Sequence, residues 1–214
     1  MRAATVLAAL IAVVLPATTI ARGAWEAPRR IAEHLPPPPL RTMRELPAER
    51  ERELLAVEDP QFFAHLGVDL RTPGAGWTTI TQALVKVLYF ESFRPGPLAK
   101  LEQTLLAVGF DASVGKREQL DLFFNLAYLG RNGAEDVAGF PRASVVYFGR
   151  DVTELDRSQY LALVAMLIAP NRYSLARHPA ENGERRARIE RLLEGNCRAT
   201  SWRDVELTAC GGPR

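Results

Sequence analysis

Apolar residues recur at helical spacing along most of the chain, and this pattern predicts an all-α domain. No sustained alternation of apolar and polar residues indicates a large sheet. The apolar run at 158–169 stops at Pro170 and is too short to span a bilayer, so we expect it to be the central buried helix. The other predicted helices cover residues 47–57, 83–90, 98–110, 116–126, 137–148 and 180–194.

Residues 1–24 form a separate hydrophobic segment. Positions 3–21 are apolar or small and Arg2 precedes them, which is typical of a signal peptide or a membrane-spanning anchor. Thr19 stands where signal cleavage needs a small residue, which favours an uncleaved anchor, while a cleaved signal stays open. Residues 25–47 are a proline-rich linker, and its four successive prolines at 36–39 predict a stiff polyproline spacer.

Length and charge limit what the remainder of the chain can be. The 214 residues allow one domain, at 48–195, with extra segments at its ends. The net charge of +2 gives no electrostatic case for a nucleic-acid partner. Both cysteines, Cys197 and Cys210, lie in the tail at 196–214; in an exported chain this suggests one disulfide, with two free thiols as the alternative.

The first candidate for chemistry is the acidic pair Glu58-Asp59, which ends a predicted helix just before Pro60. The negative end of the helix dipole and the neighbouring acid both disfavour ionisation, so they raise the pKa of a carboxyl group there. A carboxyl tuned in this way suits a general acid or base. The alternative is a solvated acid with no role beyond ending the helix.

Two further segments place polar groups where an anion or a sugar can bind. Thr79 and Thr81 with Gln82 have the form of a capping box that opens an apolar helix, and Lys86 shares a helix face with Gln82. Ordinary capping beside a surface lysine is the alternative. The third segment, around the turn at 95–97, holds a second acid with cations nearby: Arg94, Lys100 and Glu102.

In this order the motifs resemble those of the peptidoglycan glycosyltransferases of family 51, which occur in bifunctional penicillin-binding proteins and in monofunctional transglycosylases. The resemblance covers about residues 50–194. The segments similar to the successive family motifs are 58–67, 76–86, 94–102, 115–130 and 139–173.

The resemblance implies a lysozyme-like helical domain with a small membrane-proximal lobe. It implies polymerisation of lipid II into glycan strands at the periplasmic face of a bacterial inner membrane, with inversion and release of undecaprenyl diphosphate. The implied partners are lipid II, the nascent strand, the membrane and other cell-wall synthases. No metal-binding residues or cofactor are expected, and a divalent cation (Mg or Mn) at the diphosphate stays open. The implied catalytic residues are Glu58 as general base and Glu102 as second carboxylate, and the implied substrate contacts are Asp59, Thr79, Thr81, Gln82, Lys86, Arg94 and Lys100.

The sequence also departs from the family pattern. Leu98 and Ala99 stand where the family has an Arg-Lys pair, with Lys100 as a substitute displaced by one position. The segment at 67–76 is shorter than usual, and Ala83 and Val87 replace family polar residues. These departures leave open a catalytically impaired member that binds lipid II, glycan or a synthase. A lysozyme-like hydrolase is a third reading, against which the cations suited to a diphosphate argue.

Overall fold

The computed structural model describes residues 2–37, 40–74 and 78–212, with the backbone alone over 2–11. It is mainly helical, which confirms the all-α prediction. Gly76 and Trp77 of the second motif, and Pro38 and Pro39 of the spacer, lie outside the described residues. The helices are α1 (Arg2–Trp25), α2 (Ala27–His34), α3 (Ala48–Glu58), α4 (Ile80–Tyr89), α5 (Pro97–Ser113), α6 (Lys116–Leu126), α7 (Phe140–Phe148), α8 (Arg157–Met166) and α9 (Pro179–Leu193).

Helix α8 is the centre of the core, as the apolar run predicted. Asp156 and Gln159 form a reciprocal capping box at its start, so the helix begins in the expected place. Every residue from 160 to 166 is buried, and the helix packs against α3, α7 and α9. It ends at Met166, three positions earlier than predicted, because the backbone turns at Leu167 before reaching Pro170.

Helix α4 begins directly after its N-cap residue, Thr79. The hydroxyl of Thr79 accepts the backbone N–H of Gln82 at 3.1 Å, and the Gln82 side chain returns to the Thr79 backbone. The helix therefore starts at Ile80, three residues before the apolar run that predicted it. Its buried face packs against α5 and α6, and comprises Ile80, Thr81, Gln82, Leu84, Val85 and Leu88.

A hairpin replaces the start of one predicted helix. The strands β1 (Tyr128–Asn132) and β2 (Glu135–Ala138) pair antiparallel, with Arg131 opposite Asp136. Gly133 takes a positive φ of 61° in the turn between them. The prediction of a helix over 137–148 was therefore wrong at its first three residues, and α7 begins only at Phe140.

The predicted spacer is partly folded. Residues 27–34 form α2, which begins with a proline in its first turn and contacts α4. Met43 is 2% exposed and lies in the core. Parts of the proline-rich linker predicted over 25–47 are therefore folded, because their apolar side chains pack against the domain. The stiff spacer predicted for the prolines at 36–39 stays a prediction.

Helix α1 packs antiparallel against α5 at very short range. Gly23 lies against Leu106, and Gly109 lies against Ile20, so backbone meets backbone where no side chain intervenes. Arg22 adds an ion pair to Glu102 at 2.6 Å. In the part of the chain that the structure describes, no helix combines the length and hydropathy needed to cross a membrane. The anchor stays a prediction.

Two helical glycines give opposite expectations for the same substitution. Gly183→Ala on α9 adds a methyl group with nothing within 4 Å, so it should raise the free energy of unfolding by roughly 0.5–1 kcal/mol. At Gly109 the added Cβ would lie 1.8 Å from the carbonyl oxygen of Ile20. Gly109→Ala should therefore destabilise by about 1–3 kcal/mol in urea unfolding, as overpacking does. A gain in stability at Gly109 would contradict the described packing of α1.

Candidate active site

A cavity of about 400 Å³ opens beside the end of α3. The start of α4, the turn after α6, the turn after α8 and one face of α9 form its walls. The residues that line it are mostly apolar, and the exceptions are few. The polar or charged side chains among them are Glu58, Thr78, Thr79, Lys86, Tyr128 and Arg185.

Glu58 is the last residue of α3 and lines this cavity. Burial raises its pKa to about 7, the positive charge of Arg185 opposes the rise, and Asp59 adds to it. A carboxyl with a pKa near neutrality can exchange a proton at physiological pH, as a general base must. The sequence predicted the direction of this pKa shift, although burial rather than the helix dipole is its main cause.

Asp59, the other half of the pair, faces the interior. It is fully buried, and its carboxylate accepts the backbone N–H of Ile80 at 3.0 Å and contacts His65 Nε2 at 3.0 Å. It therefore ties the end of α3 to the first turn of α4. The structure does not bring Asp59 to the cavity surface, where substrate contact was predicted.

Thr81 and Gln82 also lie beneath the cavity instead of facing it. Thr81 is buried and donates to the Gln119 side chain at 2.7 Å. Gln82 is 1% exposed, and its amide donates to Thr104 at 3.0 Å. Thr79 alone of this group lines the cavity, with its hydroxyl donated to the Gly67 carbonyl at 2.7 Å.

Two lysines lie together at one side of the cavity. Lys86 is exposed and lines it, and Lys100 donates to Thr78 Oγ1 at 3.1 Å and to Gln82 Oε1 at 3.3 Å. Burial lowers the pKa of Lys100 to about 8, and the charge of Lys86 contributes. Neither lysine has an acidic partner within residues 2–37, 40–74 and 78–212. This pair can therefore bind an anionic group.

Comparison with known proteins identifies the domain. The family model described as "Transglycosylase" matches residues 38–194. The chain belongs to the transglycosylase family. Penicillin-binding protein 1B of Escherichia coli (strain K12) is 37% identical over an alignment of 154 positions that covers 66% of this chain and 18% of that protein. Penicillin-binding protein 1F of Bacillus subtilis (strain 168) is 30% identical over an alignment of 161 positions that covers 69% of this chain and 22% of that protein.

The chain spans about a fifth of the length of these curated relatives. Its transglycosylase segment contains every described residue that lines the cavity except Val205. The family therefore accounts for the site but not for the tail beside it.

Two predicted site residues of the transglycosylase segment lie away from the cavity. Glu102 is on α5, where it pairs with Arg22 of α1. Arg94 is exposed in the turn before α5 and does not line the cavity. Their functional roles stay predictions. Within the described residues, no group of three or more His, Cys, Asp or Glu is arranged to hold a metal ion. A divalent cation at the diphosphate stays an open possibility from the resemblance.

Arg185 lines the cavity but was not among the site residues predicted from the sequence. It is 1% exposed, lines the cavity, and stands with its guanidinium carbon 6.0 Å from the centre of the Tyr173 ring. Its Nε and Nη1 have no hydrogen-bond partner among the described residues. The signal was the spacing of Asn182, Arg185 and Ile189, which form the buried face of a helix that otherwise carries exposed charge.

Proposed function

We propose that this transglycosylase-family protein is a peptidoglycan glycosyltransferase that polymerises lipid II into glycan strands. The observation that carries the proposal is one cavity that holds a carboxyl group of raised pKa, Glu58, and the cation Lys86, with Lys100 beside it. A sugar transfer from a diphosphate donor needs a base for the incoming hydroxyl and positive charge for the leaving group.

Glu58 would act as the base. Its carboxylate takes the proton from the 4-hydroxyl of the acceptor sugar, and that oxygen forms a bond to the anomeric carbon of the donor as the bond from this carbon to the diphosphate oxygen breaks. Attack from the opposite face inverts the configuration, and the leaving undecaprenyl diphosphate keeps its negative charge. The positive charge of Arg185 stabilises the carboxylate form of Glu58, because it lowers the pKa that burial raises.

Lys86 and Lys100 would bind the diphosphate. The charge of Lys86 disfavours the charged form of Lys100, so an anion bound beside them would reduce this repulsion. Lys100 is fixed by its two hydrogen bonds, to Thr78 and Gln82, and needs little reorganisation to meet the ligand. We further propose that α1 places this site at the periplasmic face of the membrane, where lipid-linked substrate and synthase partners are found.

The nature of the product tests the proposal. The purified 214-residue chain is incubated with lipid II in detergent, and the products are separated by size. We expect glycan polymer longer than the substrate. Soluble fragments released from finished glycan would indicate a hydrolase instead, and lipid II binding without any polymer would indicate a binding protein.

Substitution of the lysines should weaken substrate binding. Loss of one charged hydrogen-bond donor costs about 1.5–3 kcal/mol, so Lys86→Met or Lys100→Met should raise the KM for lipid II roughly 10- to 100-fold. Arg150→Met, which removes an exposed cation outside the cavity, should leave KM unchanged. A KM as low as that of the native protein in both lysine variants would contradict diphosphate binding at this pair.

The lowered pKa of Lys100 predicts an alkaline limit to activity. Below about pH 8 the ammonium is charged, and above it the charge is lost, so kcat/KM should fall as pH rises through this value. Lys100→Arg keeps a charge at every relevant pH and should remove this fall. An unchanged alkaline limb in the arginine variant would assign it to another group.

A further inference from the structure

The tail at 196–212 lies beyond the segment that matches the transglycosylase family, which ends at residue 194. A disulfide joins Cys197 to Cys210, as the sequence suggested, and closes the tail into a loop across a separation of 13 residues. Leu207 and Cys210 are 2% and 1% exposed, so the loop is part of the packed protein. It is not a free extension of the domain.

Several hydrogen bonds and ion pairs hold this tail against the domain. Arg191 Nε on α9 donates to the Cys210 carbonyl at 2.5 Å. Glu206 forms an ion pair with Arg172 and accepts the hydroxyl of Tyr173 at 3.0 Å. The ring of Tyr173 in turn lies against the guanidinium of Arg185, which acts on Glu58. The tail is therefore connected, through Tyr173 and Arg185, to the surroundings of the Glu58 carboxyl group.

The tail also holds the loop at 69–74, in the segment that is short in this chain. The backbone N–H of Gly74 donates to the Ser201 carbonyl at 3.0 Å. Gly74 has a φ of +84°, and a Cβ at this position would lie 2.9 Å from the Cβ of Ala199. The contact is therefore as close as a glycine allows, and Gly74 itself lines the cavity.

Val205 extends the tail into the cavity itself. It is the one described lining residue outside the family segment, and it shares the cavity with Glu58, Gly74 and Arg185. Its chain neighbour Glu206 accepts the hydroxyl of Tyr173, whose ring lies beside Arg185, and the charge of Arg185 acts on Glu58. These contacts connect Val205 to the Arg185 side of the cavity, where it is suited to contact the sugar that Glu58 deprotonates.

We propose that the disulfide-closed tail forms one wall of the active site and that Val205 contacts the acceptor sugar there. The Cys197–Cys210 bond keeps Val205 and the loop at 69–74 in position. This inference rests on the proposed function for the identity of the sugar. Substrate affinity, and not the chemical step, should depend on the tail.

The first test compares kinetic parameters for lipid II polymerisation by the full chain. Val205→Phe, which fills part of the cavity without touching the disulfide, should raise KM about tenfold and change kcat less than threefold. Cys197→Ser combined with Cys210→Ser should raise KM by a similar factor. Arg203→Ala, in the same tail but exposed and outside the cavity, should change neither parameter. Native KM in the Val205 and the cysteine variants would overturn the proposal.

A second measurement needs no substrate. On reduction of the disulfide in the native chain, amide hydrogen exchange at Gly74 should accelerate at least tenfold, while α8 in the core keeps its protection. If the native chain makes no polymer, the proposed function fails, and the exchange measurement alone then tests whether the tail holds the loop at 69–74. Unchanged exchange at Gly74 after reduction would show that the tail does not hold the loop and would overturn the inference.

Discussion

Replacement of Glu58 by glutamine is expected to lower the turnover of lipid II by about 100-fold or more, because general-base catalysis contributes roughly 10²–10⁴ to a rate. The glutamine side chain has almost the same size as glutamate, but it cannot take the proton from the 4-hydroxyl of the acceptor sugar. The native fold should be kept and lipid II binding should be almost unchanged, since the base acts in the transition state. The measurement is the steady-state rate of polymer formation together with equilibrium binding of lipid II.

A change in stability with pH accompanies this loss of activity. The pKa of Glu58 rises on folding from an ordinary value of 4.5 to about 7, so stability is highest when the group is protonated and falls as pH rises between these values. Above pH 7 the glutamine variant should therefore be more stable than the native protein, by at most about 3 kcal/mol. Water that enters the cavity solvates the charge and reduces this difference.

The control for both measurements is Glu184→Gln, an exposed acid on α9 that does not line the cavity. It should retain native turnover and show no gain in stability above pH 7. A Glu58→Gln variant that polymerises lipid II at the native rate would remove Glu58 from the chemistry, whatever the control shows.

Replacement of Asp59 by alanine should have its main effect on stability. The substitution leaves the N–H of Ile80 and the ring of His65 without their buried acceptor, and a buried group left without its hydrogen-bond partner costs about 1–3 kcal/mol. The loss is expected as a lower midpoint in urea unfolding with an unchanged slope. Activity should fall with the folded fraction and recover under conditions that stabilise the fold.

Asp136→Ala provides the comparison for Asp59, since Asp136 is an exposed acid in an ion pair with Arg131. Its unfolding midpoint should stay close to the native value, because exposed pairs contribute little. Native stability in Asp59→Ala, or lost activity in a fully folded Asp59→Ala variant, would contradict the structural role and favour the predicted substrate contact instead.

Local signals in the sequence were sufficient for most helices and for the position of the base. Capping boxes at Thr79 and Asp156 fix the starts of α4 and α8, because the cap and its partner lie within one turn. Glu58 was identifiable because two acids end a helix before a proline. Such signals depend on neighbours in the chain, and a single sequence contains them in full.

Contacts between distant segments could not be obtained in this way. The partner of Glu102 is Arg22, 80 positions away, and no local pattern joins them. The burial of Arg185 depends on how α9 packs, which its charged composition conceals. The hairpin had a local signal, since a glycine, Gly133, occupies the first position of its two-residue turn, but its strands are too short to show alternation.

The most direct test of this account is the pH dependence of kcat/KM for lipid II polymerisation by the native chain. A base whose pKa is raised to about 7 predicts that kcat/KM rises tenfold per pH unit below this value and levels off above it, before the decline near pH 8 that Lys100 causes. A rise with its midpoint near 4.5, the ordinary value for glutamate, or no rise between pH 5 and 7, would contradict a buried Glu58 as the base.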